Sequence, residues 1–318
     1  MKKLLCAVFA VAIAAGTMTV PVSAAWERDA SGIWRYEQAD GSFSTGWQKI
    51  GDCWYFFSGQ GEMYTGWQFL GEDWYYFYPS GAMAAGWVQA GGKWYFLGSD
   101  GKMRTGFVHD GNCWYFLDES GAWTEDDPES RTAVTKTGKT ASLKNGMFYV
   151  DGILIANKSY PLPSDYAPGG LTGETQRAFS ELQNAMAAEG LSLWVASGYR
   201  SYDYQAGLYR KYVNRDGKAA ADRYSARAGY SEHQTGLAFD VNQVNDSFAN
   251  TPQAKWLAEH AWEYGFIIRY PKGKEGVTGY QYEPWHLRYL GKETAKAVQD
   301  SGLCLEEYLG IDSVYARN

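Results

Sequence analysis

The distribution of aromatic and polar positions divides the chain into segments of different character. Between residues 26 and 123, aromatic positions recur every 20 residues and are separated by glycine together with Asp, Ser or Gln. The recurring pieces are Gly-Trp pairs, Trp-Tyr-Tyr/Phe triplets and single glycines, which begin at Gly46, Trp54 and Gly61. Short aromatic runs bounded by such turn residues predict β-hairpins. Because one hairpin cannot bury its apolar face alone, the period predicts an all-β solenoid of stacked aromatic hairpins over residues 25–124.

The pattern changes after this segment. Residues 125–144 are charged, rich in Thr and contain Pro128, so they are predicted to be a linker. In residues 145–318, apolar residues at helical spacing predict helices over Thr172–Gly190 and Thr251–Gly265. Short apolar runs predict strands over Leu191–Ala196, Leu237–Val241, Phe266–Tyr270 and Trp285–Leu290. This mixed order predicts a second domain with an α+β fold.

The N-terminal residues indicate export. Two lysines precede an apolar stretch over residues 4–16, and Val22-Ser23-Ala24 has the small residues that a signal peptidase accepts. Residues 1–24 are therefore expected to be a signal peptide, and the mature protein to be secreted without a membrane span; a retained N-terminal anchor is the alternative. Cys6 would leave with the signal. The odd number of remaining cysteines predicts that they are unbridged: Cys53, Cys113 and Cys304.

Composition places the aromatic excess in the repeats. Ten of the 14 tryptophans lie between Trp26 and Trp123. A hairpin core does not require so many, because Leu, Val and Ile would fill it equally well. Aromatic faces of this kind are suited to gripping a quaternary ammonium group or a sugar ring. Residues 26–127 hold 15 acidic and 6 basic residues, which favours a cationic ligand. The chain has a formal net charge of -7 and no basic tract, so it lacks the footprint of a nucleic-acid-binding protein.

The repeats resemble a known family. Thr45-Gly46-Trp47 and Thr65-Gly66-Trp67, each followed by a Trp-Tyr-Tyr/Phe triplet, are similar to the choline-binding type of cell-wall-binding repeat. In that family, aromatic residues of adjacent repeats form cages for the choline groups of teichoic acids. The resemblance implies a choline-bearing teichoic acid or another wall polysaccharide such as a glucan, with a purely structural spacer as the alternative. Phe107 stands where Trp is expected, which suggests one weakened site. The implied ligand-binding residues are Trp47, Trp54, Trp67, Trp74, Trp87, Trp94 and Trp114.

Candidate chemistry lies in the second domain. Ser231-Glu232-His233 is followed by Gly236, which allows a turn, and by Asp240; Glu283-Pro284-Trp285-His286 comes later. Two His and one carboxylate with an open fourth position are the ligands of a catalytic zinc site. This combination of donors favours zinc over other divalent metals. A free Glu nearby can act as the base for the water that such a metal activates. His260 lies in a predicted helix without such partners and is expected to be structural. The His-Glu-x-x-His signature is absent.

Together the motifs Ser-x-His-x-x-Gly-x-Ala-x-Asp and Glu-Pro-Trp-His resemble the VanY-type D-alanyl-D-alanine carboxypeptidase family. Ala156–Tyr166 and Ser197–Ser201 resemble further segments of it, so the resemblance runs from about Met147 to Leu309. It implies a hedgehog/D,D-peptidase-like zinc peptidase domain, in which the Zn²⁺ ligands are His233, Asp240 and His286. Glu283 would be the general base, and Arg200 would place positive charge near the scissile carbonyl or the terminal carboxylate. Contacts to the end of the peptide would come from Gln205, Ser231 and Tyr270.

The implied function is removal of the terminal D-Ala from peptidoglycan stem peptides by an enzyme on a Gram-positive-type cell wall. The motifs do not separate a D,D-carboxypeptidase, which trims pentapeptide stems, from an L,D-carboxypeptidase, which trims tetrapeptide stems. An endopeptidase that cuts crosslinks is a third enzyme class. A wall-binding protein with an inactive enzyme domain is the alternative outside enzymes, although the intact metal and base residues argue against it. No nucleophile elbow or Ser-x-x-Lys motif is present, so hydrolysis without a covalent intermediate is predicted.

Overall fold

The computed structural model describes residues 24–111 and 113–316. The predicted signal peptide, except for Ala24, lies outside these residues and stays a prediction. Contacts between Cα atoms divide the chain into two compact units: one extends to Gln68 and includes residues 76–83, and the other comprises residues 69–75 and the chain from Ala84 onward. Within the described residues, no helix has the length and apolar character that crossing a membrane requires.

The repeats form small antiparallel hairpins, as predicted. The second, third and fourth hairpins each pair a Gly-Trp strand with the Trp-Tyr-Tyr/Phe strand after it. The first pairs the strands that contain Trp26 and Trp34, and the fifth begins with Gly106-Phe107 and gains a third strand. The strands are β1 (Ala25–Arg28), β2 (Trp34–Glu37), β3 (Gly46–Ile50), β4 (Cys53–Phe57), β5 (Gly66–Leu70), β6 (Asp73–Phe77), β7 (Gly86–Ala90), β8 (Lys93–Leu97), β9 (Gly106–Asp110), β10 (Cys113–Leu117) and β11 (Trp123–Thr124).

Backbone hydrogen bonds join successive repeats within each unit. In the first unit the Met63 N–H donates to the carbonyl oxygen of Trp34 at 2.8 Å, and in the second unit Met103 bonds Trp74 in the same way. The glycines near these methionines are required by the packing: Gly81 and Gly121 have φ of +79° and +81°. A Cβ atom on Gly81 would lie 2.1 Å from Met63 Sδ. The recurring glycine of one repeat therefore packs directly against the recurring methionine of the repeat before it.

Residues 125–144 are not a linker. They form a 3₁₀ helix, Pro128–Ser130, and two strands of an antiparallel sheet whose order is β12-β13-β14-β15. Ala141 and Leu143 are buried against Phe148 in the core of the second unit. The linker prediction was wrong because each of these apolar residues stands alone between polar ones, so the segment has no apolar run. The strand that pairs with it comes later in the chain. The strands are β12 (Thr132–Val134), β13 (Thr140–Lys144), β14 (Met147–Val150) and β15 (Ile153–Leu154).

The rest of the second unit has the predicted α+β fold. An antiparallel sheet of order β16-β17-β19-β18 is surrounded by helices. The strands are β16 (Val195–Ser197), β17 (Ala238–Val241), β18 (Phe266–Tyr270) and β19 (Glu283–Tyr289). The helices are α1 (Gly173–Ala188), α2 (Tyr202–Asp216), α3 (Lys218–Ala221), α4 (Pro252–His260), α5 (Glu275–Thr278), α6 (Lys292–Ser301) and α7 (Leu305–Leu309), with 3₁₀ turns at Glu232–Thr235, Asp246–Asn250 and Ala261–Tyr264.

The main core explains why the predicted helices form. Thr172 caps α1 by accepting a hydrogen bond from the Thr175 N–H, and the helix buries Leu182 and Met186 against the sheet that contains Phe239. The strand predicted over Leu191–Ala196 begins later, at Val195–Ser197, and the residues before it include Leu191 and Leu193, which pack on the main core. The other three predicted strands are confirmed to within two residues.

A second core includes the last hairpin. Phe107 and Phe116 pack with Phe148 from the β12–β15 sheet and with Leu305 and Leu309 from α7. Phe107 is buried there, which gives a packing reason for Phe at this position of the repeat. The three described cysteines are free, as predicted.

Candidate functional site

Three elements bring the predicted metal ligands together. His233 lies in the 3₁₀ turn Glu232–Thr235, Asp240 on β17 and His286 on β19, where Asp240 and His286 are direct partners across the strands. Gly236 ends the 3₁₀ turn with φ of +71°, and a Cβ atom there would lie 2.5 Å from the carbonyl oxygen of Gly170. The turn expected between His233 and Asp240 thus depends on this glycine, and it returns both side chains to one place.

The three side chains are buried and face one another. The Nε2 atom of His233 lies 3.3 Å from Oδ2 of Asp240, and the Nδ1 atom of His286 lies 3.1 Å from Oδ1 of Asp240. One donor atom from each residue lies within 4.8 Å of the other two. Nδ1 of His233 bonds the carbonyl oxygen of Gly198 at 2.7 Å, which leaves Nε2 as the inward-facing atom. Two imidazole nitrogens and one carboxylate oxygen fit Zn²⁺ with an open fourth position.

Glu283 is placed beside these ligands. Its side chain is on the first residue of β19, and its Oε2 atom lies 3.6 Å from Nδ1 of His286. Burial raises the pKa of Glu283 to about 8; the neighbouring His286 and Arg200 oppose the shift, while Asp240 adds to it. A carboxylate with a pKa raised toward neutrality is suited to accepting a proton and returning it. The structure therefore puts a candidate general base next to the candidate metal ligands.

Arg200 lines the groove over the candidate ligands, whereas Gln205 does not. Arg200 donates from Nη2 to Oδ2 of Asp240 at 2.8 Å and to Oγ of Ser197 at 2.8 Å, and it lines the groove that leads to the ligands. Gln205 was predicted to contact substrate, but it is fully buried and does not line that groove. Its amide donates to the carbonyl oxygen of Ala226 at 2.7 Å, and its oxygen lies 3.5 Å from Nη1 of Arg200. Gln205 therefore contacts the guanidinium of Arg200 from the buried side, away from the groove.

The groove over the candidate ligands has a volume of about 610 Å³. Ser231 and Tyr270, both predicted substrate contacts, line it. The ring centroid of Tyr270 lies 4.9 Å from that of His286, and Tyr270 also packs on Tyr280. The groove is also lined by Tyr212, Arg215, Tyr224, Val244, Asn245, Asp246 and Ser247. Its volume and its mixed polar and aromatic lining suit a peptide.

Glu232 was quoted in the motif without a role, and the structure gives it one. The carboxylate is buried between Arg269 and Arg288, and its Oε2 atom lies 3.6 Å from Nε2 of His286. The two arginines hold the pKa of Glu232 well below its ordinary value despite burial, which opposes that shift. The only sequence signal was a charged residue between Ser231 and His233, because its partners come from β18 and β19.

The aromatic residues of the repeats form clusters of rings at steep angles. In the first unit, Trp26 lies 6.4 Å from Trp34 at 87° and 4.9 Å from Tyr55 at 61°. In the second unit, Trp87 lies 4.8 Å from Tyr115 at 68° and 6.4 Å from Trp123 at 76°. Five members of these clusters were not among the predicted ligand residues: Trp26, Trp34, Tyr55, Tyr115 and Trp123.

The predicted tryptophans fall into three groups. Exposed side chains belong to Trp47, Trp54, Trp74 and Trp94. Trp67 and Trp87 are half-buried, and Trp87 donates from Nε1 to Oδ2 of Asp110 at 3.1 Å. Trp114 differs: its ring is parallel to those of Tyr160 and Phe148, and its Nε1 donates to the carbonyl oxygen of Gly146 at 3.1 Å. Trp114 was predicted to bind ligand, but this packing fixes it against the second core.

Comparisons with known sequences agree with these two parts. Residues 170–292 match the profile described as D-alanyl-D-alanine carboxypeptidase, VanY. Residues 44–85 and 64–105 match a choline-binding repeat, and residues 105–122 match a putative cell wall binding repeat.

Individual relatives match over most of their own lengths. A putative carboxypeptidase of Bacillus subtilis, YodJ, is 37% identical over 219 residues, which are 58% of this chain and 80% of YodJ. A D-alanyl-D-alanine carboxypeptidase of Enterococcus faecalis is 32% identical over 61% of this chain and 76% of its own length. The structure of the LdcB LD-carboxypeptidase superposes with a TM-score of 0.51 at 48% identity, covering 56% of this chain and 98% of that one. The chain therefore belongs to the VanY family of D-alanyl-D-alanine carboxypeptidases and carries choline-binding repeats in front of the peptidase domain.

Proposed function

We propose that this protein is a zinc metallo-carboxypeptidase that removes the terminal D-Ala from peptidoglycan stem peptides while its repeats hold it at the cell wall. The observation that carries the enzymatic part is the buried His233, Asp240 and His286 cluster with Glu283 beside it. An inactive domain is disfavoured because the candidate ligands and the candidate base line the same groove. Secretion is part of the proposal, supported by the residue pattern of the N-terminal 24 positions. A Gram-positive-type surface is also part of it, supported by the choline-binding repeats.

The ligand set is proposed to be Nε2 of His233, Oδ1 of Asp240 and Nδ1 of His286. In the part of the chain that the structure describes, Oδ1 of Asp240 is buried without a hydrogen-bond partner, whereas Oδ2 accepts from Arg200. One carboxylate oxygen would therefore serve the metal while the other serves Arg200. Zinc, when bound, supplies the Lewis acidity that activates water and the scissile carbonyl. The protein's own contribution is to fix these donors in a buried site with one side facing the groove.

Glu283 and Arg200 are proposed to perform the remaining chemistry. Glu283 takes a proton from the attacking water at its carboxylate and returns it to the leaving amine of D-Ala. Arg200 keeps its guanidinium at the groove, where it favours negative charge that develops on the carbonyl oxygen or that is present on the terminal carboxylate. Ser231 and Tyr270 line the groove near the metal and are proposed contacts for the end of the peptide.

Two specificities remain as candidates. D,D-carboxypeptidase activity on pentapeptide stems is supported by membership of the VanY family and by the Enterococcus faecalis relative. L,D-carboxypeptidase activity on tetrapeptide stems is favoured by the higher identity, 48%, to the LdcB LD-carboxypeptidase.

Mass spectrometry of the two stems, incubated separately with the zinc-loaded protein, distinguishes these candidates. Loss of one alanine from the pentapeptide alone identifies a D,D-carboxypeptidase, and loss from the tetrapeptide alone identifies an L,D-carboxypeptidase. If neither stem changes while zinc is bound, trimming of free stems is refuted, and crosslinked fragments become the substrate to test.

The repeats are proposed to bind the choline groups of teichoic acid. Support comes from the cluster of Trp87, Tyr115 and Trp123, whose ring centroids lie 4.8 to 6.4 Å apart at steep angles. Several aromatic rings held close together suit a quaternary ammonium group. The carboxylate of Asp110 bonds Trp87 and adds negative charge beside the rings. In this account Trp114 supports the hairpin and does not contact choline.

Tryptophan fluorescence with choline chloride tests this ligand. Trp123→Ala is expected to weaken the choline response of the full-length protein, whereas Trp194→Ala, at an exposed tryptophan of the peptidase part, leaves it unchanged. A response to glucan fragments but not to choline would replace choline with a wall polysaccharide. The absence of a response to either would leave the repeats as a spacer.

A further inference from the structure

A buried carboxylate lies on the far side of His286 from the candidate metal position. Glu232 is 2% exposed, and its Oε1 atom accepts hydrogen bonds from Nε of Arg269 at 2.7 Å and Nη1 of Arg288 at 2.9 Å. Its Oε2 atom has no hydrogen-bond partner among the described residues and lies 3.6 Å from Nε2 of His286, which also has none among them. Two buried, unpartnered atoms of opposite hydrogen-bonding character therefore face each other across a gap slightly longer than a hydrogen bond.

The carboxylate cannot easily turn away from His286. Arg288 is held on its other side by donation from Nη2 to the carbonyl oxygen of Leu154 at 2.6 Å. Arg269 is held by Glu306 of α7, to which it donates from Nη1 at 2.8 Å and also from Nη2. All four charged side chains are buried, and the two positive and two negative charges balance. The network therefore fixes one carboxylate oxygen in the direction of the His286 ring.

The other nitrogen of that ring faces the metal ligands. Nδ1 of His286 lies 3.1 Å from Oδ1 of Asp240 and 3.6 Å from Oε2 of Glu283. A histidine that binds metal through one nitrogen must carry its proton on the other, and a carboxylate that accepts this proton fixes both the tautomer and the ring orientation. Glu232 is the described residue whose position allows it to accept from Nε2.

We propose that Glu232 is a positioning residue of the metal centre: it accepts a hydrogen bond from the Nε2–H of His286 and so directs Nδ1 toward the metal. The inference rests on the proposed function only in requiring that a metal binds at His233, Asp240 and His286. Through Arg269, the same contact joins the metal centre to Glu306 on α7, far along the sequence. The competing explanation is that Glu232 only offsets two buried guanidinium groups, as Glu306 does.

Glu232→Gln and Glu306→Gln separate the two explanations. Both changes remove one buried negative charge from the same network and both affect a partner of Arg269, but only Glu232 faces His286. Zinc affinity is measured on the full-length protein by competition with a chelating dye, and folding is checked by thermal unfolding. Because loss of an outer partner of a metal-bound histidine costs roughly 10–100-fold in affinity, Glu232→Gln should weaken zinc binding by about tenfold or more. Glu306→Gln should change it by less than about threefold, since that residue does not contact a ligand.

A spectroscopic readout adds a second criterion. With Co²⁺ in place of zinc, Glu232→Gln should shift the visible absorption bands, which report ligand geometry, while Glu306→Gln retains the wild-type spectrum. Equal zinc affinity in Glu232→Gln and wild type overturns the proposal. Equal weakening in both variants also overturns it, because the effect is then general to the charge network.

A folding defect does not remove the test. If Glu232→Gln is insoluble, Arg288→Lys keeps the positive charge but loses the fork that restrains Glu232, and it should weaken zinc binding relative to Glu306→Gln. Unchanged affinity in Arg288→Lys then overturns the proposal. Since these measurements contain no substrate, a wild-type protein that binds zinc but cleaves no stem would refute the proposed function and leave this inference standing.

Discussion

Replacing Glu283 by Gln should remove turnover while leaving the metal centre and the groove in place. The residue is 7% exposed, and its Oε2 atom lies 3.6 Å from Nδ1 of His286, so it is within reach of a water molecule held at the candidate ligands. The amide has nearly the same shape as the carboxyl group but cannot accept a proton. The change therefore isolates proton transfer from packing.

The expected magnitude follows from the role of a general base. Such a group contributes about 10²–10⁴ in rate, so kcat should fall by at least about 100-fold, or roughly 3 kcal/mol in activation free energy. Zinc affinity should change by less than about tenfold at pH 7, because the pKa of about 8 means that the metal-free protein already holds Glu283 mostly protonated. KM should stay within about threefold, since the groove surface is retained.

The assay is release of D-alanine from stem peptides by zinc-loaded protein, with zinc content measured on the same samples. Glu275→Gln is the matched control, because Glu275 is an exposed residue on α5 that does not line the groove. Its kcat should equal that of the wild type. Turnover in Glu283→Gln within about tenfold of the wild type would show that another group accepts the proton. Loss of zinc along with activity would instead assign Glu283 a structural role in the metal centre.

Three further outcomes are expected. First, kcat/KM should rise with pH between about 4.5 and 8, because Glu283 must lose its proton and a bound cation lowers its pKa from about 8; a flat profile contradicts this. Second, Asp222→Asn should cost about 1 kcal/mol of unfolding free energy above pH 4. Although burial opposes the shift, bonds from Arg227 and Tyr209 hold the pKa of Asp222 below 3.8, so in denaturant titrations this difference should close as the pH falls below that value. Third, Trp114→Ala should destabilise the protein by about 2 kcal/mol, and exposed Trp94→Ala by under about 1; equal losses would contradict the packing of Trp114.

The sequence was most informative where a local pattern decides the structure. The 20-residue period predicted hairpins because turn glycines and aromatic strands are local features, and Thr172 and Gly236 predicted a helix start and a turn for the same reason. The motif spacing also predicted the grouping of His233, Asp240 and His286, since these candidate ligands on a turn and two paired strands are brought together by one sheet.

Packing between residues that are far apart in the sequence was harder to predict. Residues 125–144 were taken for a linker because the strands that pair with them follow later, and Trp114 was assigned to ligand binding because its position in the repeat does not show that Tyr160 covers it. Gln205 matches the family motif by spacing, yet only the structure places it behind Arg200. Glu232 was missed because its role depends on two arginines from other strands.

The central claim is that a metal ion held by His233, Asp240 and His286 enables this protein to remove D-alanine from stem peptides. The most direct measurement is the free D-alanine released from a mixture of tetrapeptide and pentapeptide stems by metal-stripped protein, before and after zinc is added in steps. The account predicts negligible release without metal, recovery that saturates near one zinc per chain, and no recovery in His286→Ala. Equal release with and without zinc, or full recovery in His286→Ala, would contradict it.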